Sequence, residues 1–191
     1  MKRTAVLLYP KFSNYEMSIA IYLLSALGKE YKVFSIDGKP VRSECGLFVC
    51  SDCTVAELEA GEFDSLLLTG SSDPQAVLDN EDYIAFIKSF NPDRFKVGAI
   101  SCSPLFLAKA GILGGRRARN GAYKEYAQSL PFVRDENMDY YEDSPEEKKV
   151  ILDRNLLTAA GDSFAEFAME FAVLLGLREE IKNRSYIFEV C

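Results

Sequence analysis

Histidine is absent from all 191 residues of the chain. Every mechanism in which an imidazole of this chain activates a serine or cysteine is therefore excluded. Apolar runs of membrane-spanning length are missing too. The basic pair Lys2-Arg3 is followed only by the short run Ala5 to Tyr9 and then by Pro10 and Lys11, which is too brief for a signal-peptide core. A cytoplasmic chain with no membrane partner is expected. There is little concentrated positive charge. The formal net charge is −7, which repels a phosphate backbone, and only Arg116-Arg117-Ala118-Arg119 gathers cations. Nucleic acid is not an expected partner, and these arginines read as solvated surface charge. The five cysteines, Cys45, Cys50, Cys53, Cys102 and Cys191, are odd in number and form no framework, so reduced thiols are expected. Cys50-Ser51-Asp52-Cys53 has CxxC spacing but no second ligand pair and no histidine, so no zinc or other metal site is expected. No motif asks for an organic cofactor.

What is present describes a globular chain. Hydrophobic residues make up 48% and charged residues 27%, which sets disorder aside and leaves enough apolar mass for one sizeable core. Thr4 to Tyr9 is a continuous apolar run, the mark of a strand buried on both faces. A helix should follow, capped by Ser13 or Asn14, with Glu16 in its first turn and Ile19, Ala20, Leu23, Leu24 and Leu27 as its stripe up to Gly28. Tyr31 to Ser35 reads as the next strand, Leu47 to Val49 as a short one, Val55 to Ala60 as a short helix and Ser65 to Thr69 as another buried strand. Further on come a helix from Glu81 to Phe90, a strand from Lys96 to Ile100, and a helix around Tyr123 to Ser129. The acidic stretch Asp135 to Glu147 lacks the order of a calcium loop and reads as a solvated loop or edge hairpin. Val150 to Leu152 and Leu156 to Thr158 flank a hairpin turn, and Phe164, Phe167, Ala168, Phe171, Leu174 and Leu175 mark a last helix ending before Gly176. No repeat, low-complexity tract or linker interrupts this alternation. The fold class is α/β, a flavodoxin-like, doubly wound and mostly parallel sheet with helices on both faces, in one domain over 1–191.

One join in this pattern carries chemistry. Lys96 to Ile100 runs without a spacer through Ser101, Cys102 and Ser103 into a helix opening at Pro104. This is the layout of a nucleophile elbow, a sharp strand-to-helix turn that exposes one side chain beside backbone N–H groups. Small residues that merely pack a tight turn give the same pattern. In an open parallel sheet, Glu16, Gly70 to Ser72 and Ser101 to Ser103 converge at the carboxyl ends of the strands if those strands are neighbours. A thiol at such a helix N-terminus has its pKa drawn below about 8.5, so Cys102 is a candidate for redox or nucleophilic chemistry.

The segment Ala99-Ile100-Ser101-Cys102-Ser103-Pro104, with Leu107-Ala108-Lys109-Ala110-Gly111-Ile112-Leu113-Gly114-Gly115-Arg116, resembles the elbow block of the ThiJ/PfpI family within the class I glutamine amidotransferase-like superfamily. The family pattern there is Ala-Ile-Cys-x-Gly-Pro followed by Leu-Ala-x-x-Gly-Leu-Leu-x-Gly-Arg. Asn14-Tyr15-Glu16, Phe63 to Ser71, and Asn155 to Gly161 with Glu166-Phe167-Ala168 resemble further blocks in order. The resemblance implies a homodimer and a pocket for a small molecule, whose identity stays open. It puts Ser101 at the family's nucleophilic cysteine, Cys102 one residue on, Ser103 at the usual glycine, Gly70 and Ser71 in the oxyanion loop, and Glu16 at the acidic residue beside the nucleophile. Around Asn120-Gly121, where many members carry a histidine, this chain has none. The implied function is a rewired site, with small-molecule binding or weak hydrolase, amidase or deglycase-type activity using Ser101 or Cys102 with Glu16. The alternative is a non-enzymatic redox-sensing or regulatory module using Cys102.

Overall fold

The computed structural model describes residues 2–147 and 149–182. In chain order its elements are β1 (Arg3–Leu7), α1 (Asn14–Ala26), β2 (Tyr31–Ser35), β3 (Val41–Arg42), β4 (Phe48–Val49), β5 (Cys53–Thr54), β6 (Phe63–Leu68), α2 (Gln75–Leu78), α3 (Glu81–Lys88), β7 (Lys96–Ile100), α4 (Pro104–Lys109), β8 (Ala118–Asn120), α5 (Lys124–Ser129), β9 (Met138–Tyr140), β10 (Val150–Asp153), β11 (Leu156–Ala159), α6 (Phe164–Leu174) and α7 (Arg178–Lys182). Seven strands form one sheet in the order β10-β11-β7-β6-β1-β2-β5. All pairings in it are parallel except the β10–β11 hairpin. The three strands expected at the centre, β1, β6 and β7, are internal to the sheet, because their side chains are apolar on both faces and must be covered on both.

Helices α1 and α6 pack together on one face, and α2, α3 and α4 on the other. On the first face, Gly98 of β7 lets the rings of Phe167 and Phe171 lie against the backbone; a Cβ there would sit 2.8 Å from the Phe171 ring. On the second, Phe86 and Phe90 of α3 and its C-terminal turn meet Phe34 and Phe63, with ring centroids 5.0 to 6.2 Å apart. Gly28 and Gly176 follow the C-caps of α1 and α6, and their φ values of 75° and 89° suit a residue without Cβ. Among the described residues, no helix is long and apolar enough to cross a membrane.

Several expectations change. Val55 to Ala60 gives two 3₁₀ turns, Val55–Glu57 and Ala60–Glu62, instead of an α-helix. The Thr54–Glu57 capping box nucleates one turn, but the segment is too short to propagate it. Ser13 occupies the N-cap of α1 without capping it, since its hydroxyl is turned to the Glu44 carboxylate. The acidic stretch keeps its other carboxylates in solvent but draws Asp139 into a strand. Its residues Met138–Tyr140 form β9, parallel to β8, and Asp139 receives Arg119, Arg117 and Lys149 at 2.5, 3.1 and 2.7 Å. The arginines are corrected with it. Arg119 is fully buried, its guanidinium also reaching Ser144 Oγ and O at 2.9 and 2.8 Å, and Arg116 is buried against Asp93 and the Leu113 carbonyl. Only Arg117 remains out in solvent.

Candidate functional site

The parallel registers Leu7↔Leu68 and Leu68↔Ala99 bring the carboxyl ends of β1, β6 and β7 to one end of the sheet. Glu16, Gly70 and Ser101 follow those ends and do converge. Among the described residues, Ser101 is one of three non-glycine residues with positive φ, at 65°. That conformation costs a non-glycine residue about 1–2 kcal/mol and persists only where neighbours enforce it. Here Ser101 N–H donates to the Ala159 carbonyl and Ser101 O accepts from Gly121 N–H, both at 2.8 Å. The side chain at 101 is thereby lifted off the sheet as an elbow requires.

Beside it, the Glu16 carboxyl is almost wholly buried, 3% of the residue being exposed. Its Oε2 accepts from Gly70 N–H at 2.6 Å and Thr69 Oγ1 at 3.2 Å, and its Oε1 from the Tyr15 hydroxyl at 3.3 Å. The Ser101 hydroxyl faces the same carboxyl. Burial pushes the Glu16 pKa above the ordinary carboxylate value; the donors on Gly70, Ser101 and Thr69 pull it back only in part, and the charge of Glu44 adds to the rise. Three glycines make the room. A Cβ on Gly70 would stand 2.6 Å from both Glu16 Oε2 and Ser101 Oγ, one on Gly121 would stand 3.1 Å from Ser101 Cα, and one on Gly161 would overlap Glu16 Oε1.

Cys102 is placed differently. It is 5% exposed, its Sγ accepts from Ser71 N–H at 3.3 Å, and burial pushes its thiol up to about 12 despite that donor. The expected lowering at a helix N-terminus is outweighed by loss of solvent, and α4 is only 6 residues long. Ser71 is likewise occupied, its hydroxyl donating to the Pro10 carbonyl and accepting from Asp73 N–H. The loop read as an oxyanion hole therefore spends Gly70 N–H on Glu16 and Ser71 N–H on Cys102. Ser103 does not line the site at all: fully buried, it donates to the Ile100 carbonyl at 2.7 Å and locks the turn.

Tyr15, Thr69, Gly121 and Gly161 carry contacts to which the sequence reading gave no role. The usable signal for Gly161 was a glycine closing a strand just before a helix, at the sheet end where ligands bind. Cys45 and Cys50 are exposed and Cys53 is half-buried on edge strand β5, while Cys191 lies outside the described residues. No group of three or more Cys, Asp or Glu is disposed to hold a metal ion among the described residues.

Comparison with known proteins agrees with this geometry. The model of the DJ-1/PfpI family matches residues 2–173. A Bacillus subtilis protein named uncharacterized protease YdeA is 28% identical over 172 residues, 87% of this chain and 80% of the relative. A Pyrococcus abyssi protein named deglycase PYRAB04690 is 27% identical over 175 residues, 91% of this chain and 99% of the relative. Among solved structures, the DJ-1 superfamily protein Atu0886 from Agrobacterium tumefaciens superposes with a TM-score of 0.79 at 24% identity, each chain covered completely. Drosophila melanogaster DJ-1beta gives a TM-score of 0.75 at 24% identity, with 96% of this chain and 97% of that one covered. At that identity the two structures speak for the fold.

Proposed function

Because the chain belongs to the DJ-1/PfpI family, we propose that its elbow is a small-molecule site in which the Ser101 hydroxyl and the Glu16 carboxyl meet the ligand and turnover is weak. The observation that carries this reading is Ser101 at φ 65° facing a buried carboxyl, with the adjacent thiol, Cys102, folded away beneath Ser71. A serine hydroxyl needs a base. General-base assistance is worth about 10²- to 10⁴-fold, and among the described residues Glu16 is the group in contact that could supply it. A carboxylate is a weak base toward an alcohol, and burial favours its protonated form. Glu16 is thus better suited to donating a hydrogen bond to a ligand carbonyl or hydroxyl than to removing the Ser101 proton. The charge of Glu44, which is felt at Glu16, disfavours an anionic ligand.

The names of the relatives supply the reactions to assay, amide hydrolysis and removal of glycation adducts. With purified protein, the rate on simple amides, esters and glycated amines is expected to be near background and to change little in Ser101→Ala. Robust turnover that disappears in Ser101→Ala would overturn the reading. The redox alternative at Cys102 draws no support from a thiol whose titration lies near 12.

A further inference from the structure

The two oxygens of the Glu16 carboxyl have different surroundings. Oε2 faces inward to Gly70 N–H and Thr69, and Ser101 Oγ lies on this side, where a single Cβ on Gly70 would strike both atoms. Oε1 faces Gly161 and the hydroxyl of Tyr15. Tyr15 is 45% exposed, so its phenol reaches the carboxyl from the solvent side. Its ring is held edge-on by Phe164, the first residue of α6, with centroids 5.6 Å apart and planes at 87°. Gly161 leaves the space through which this contact is made.

We propose that Tyr15 is a positioning residue of the site: its hydroxyl holds the outward oxygen of Glu16 and adds to the donors on the inner side in favouring the ionised carboxylate that faces Ser101. The other titratable groups facing this carboxyl do not compete for the role. Tyr9 is buried and donates to the Thr69 carbonyl, Cys102 is paired with Ser71, and Glu44, from the turn after β3, repels the ionised form while accepting from Ser13. The Tyr15 phenol is itself pushed up to about 12 by partial burial and by the Glu16 charge, so it stays a donor across neutral pH. Donation to a carboxylate favours its charged form, and loss of that donor moves the carboxyl further up.

The inference rests on the reading of Glu16 as the titrating partner of Ser101, but its test is independent of turnover. The Glu16 carboxyl carbon is titrated by NMR in the whole protein, its signal assigned by loss in Glu16→Gln, and compared in wild type, Tyr15→Phe and Tyr15→Leu. Tyr15→Phe keeps the ring against Phe164 and is expected to raise the proton-binding constant of Glu16 about three- to tenfold with little change in stability. An unchanged midpoint in Tyr15→Phe overturns the proposal, and a shift seen only in Tyr15→Leu assigns the effect to packing and overturns it equally. A shifted midpoint together with robust Ser101-dependent hydrolysis would sink the functional reading and leave the positioning role standing.

Discussion

Glu16 gathers the consequences that belong to single residues. Its carboxyl is raised by burial, so the folded state takes up a proton more readily than the unfolded chain. This contribution to stability is full below the ordinary carboxylate range and is lost as pH rises through the folded pKa. An amide at this position still offers an oxygen to Gly70 N–H and Thr69 and carries no charge to bury. Glu16→Gln is therefore expected to match wild type or exceed it in chemical denaturation at pH 7, with wild type gaining on it as the pH falls. Glu16→Leu strands Gly70 N–H, while Thr69 keeps the Ser13 carbonyl, and should cost about 1–3 kcal/mol. A Glu16→Gln loss as large as that of Glu16→Leu would mean that the ionised carboxylate is what the site needs. Glu16 itself was legible in the sequence because it resembles a family position. Tyr15, Gly121 and Gly161 were not assigned roles, since their contacts join loops far apart in the chain and no local pattern encodes them.

At the scale of elements, the strands and helices with strong apolar periodicity were readable almost to the residue. Tyr31–Ser35 and Lys96–Ile100 are found with the bounds their patterns suggest, and the β10–β11 hairpin turns at Arg154-Asn155, with Arg154 at φ 58°. The β8–β9 ribbon was illegible for a physical reason. Charge patterning marks a segment as exposed unless its partner is known, and here the basic segment 116–119 and the acidic stretch 135–147 are partners of one another. Arg119 is wholly enclosed and Asp139 nearly so, their side chains 0% and 11% exposed. Burial alone would raise the Asp139 carboxyl, but hydrogen bonds from Lys149 and Arg119 outweigh it and hold the pKa below the ordinary value. Its contribution is thus present above the ordinary carboxylate range and is lost as pH falls through the lowered value. Asp139→Asn, which leaves a buried guanidinium without its counter-ion, should cost about 3–5 kcal/mol in urea denaturation at pH 7 and flatten the acid limb of the stability profile. A loss under about 1 kcal/mol would show that the Ser144 oxygens suffice for Arg119.

On the scale of the whole molecule, the sheet order explains why the site exists at all. The strand order reverses about β1 and β6, and the segments leaving those strands and β7 meet at the carboxyl end of the sheet, where open α/β sheets bind ligands. Convergence of Glu16, Gly70 and Ser101 was readable as a condition on strand order. The side-chain directions at the elbow were not, because one strained φ decides which of three adjacent small residues faces outward. At the elbow, the side chain at 101 faces the Glu16 carboxyl while Cys102 is turned inward beneath Ser71. Burial pushes the Cys102 thiol up to about 12, so it stays protonated at neutral pH and is a poor nucleophile there. Site-resolved alkylation by iodoacetamide under native conditions at pH 7, read by peptide mass spectrometry in wild type and Ser101→Cys, tests this most directly. Exposed Cys45 and Cys50 should label, Cys102 should stay unmodified in both proteins, and the cysteine introduced at 101 should label at a rate comparable to or above that of the exposed thiols. Fast labelling of Cys102 in wild type, or an unreactive thiol at 101, would contradict the account.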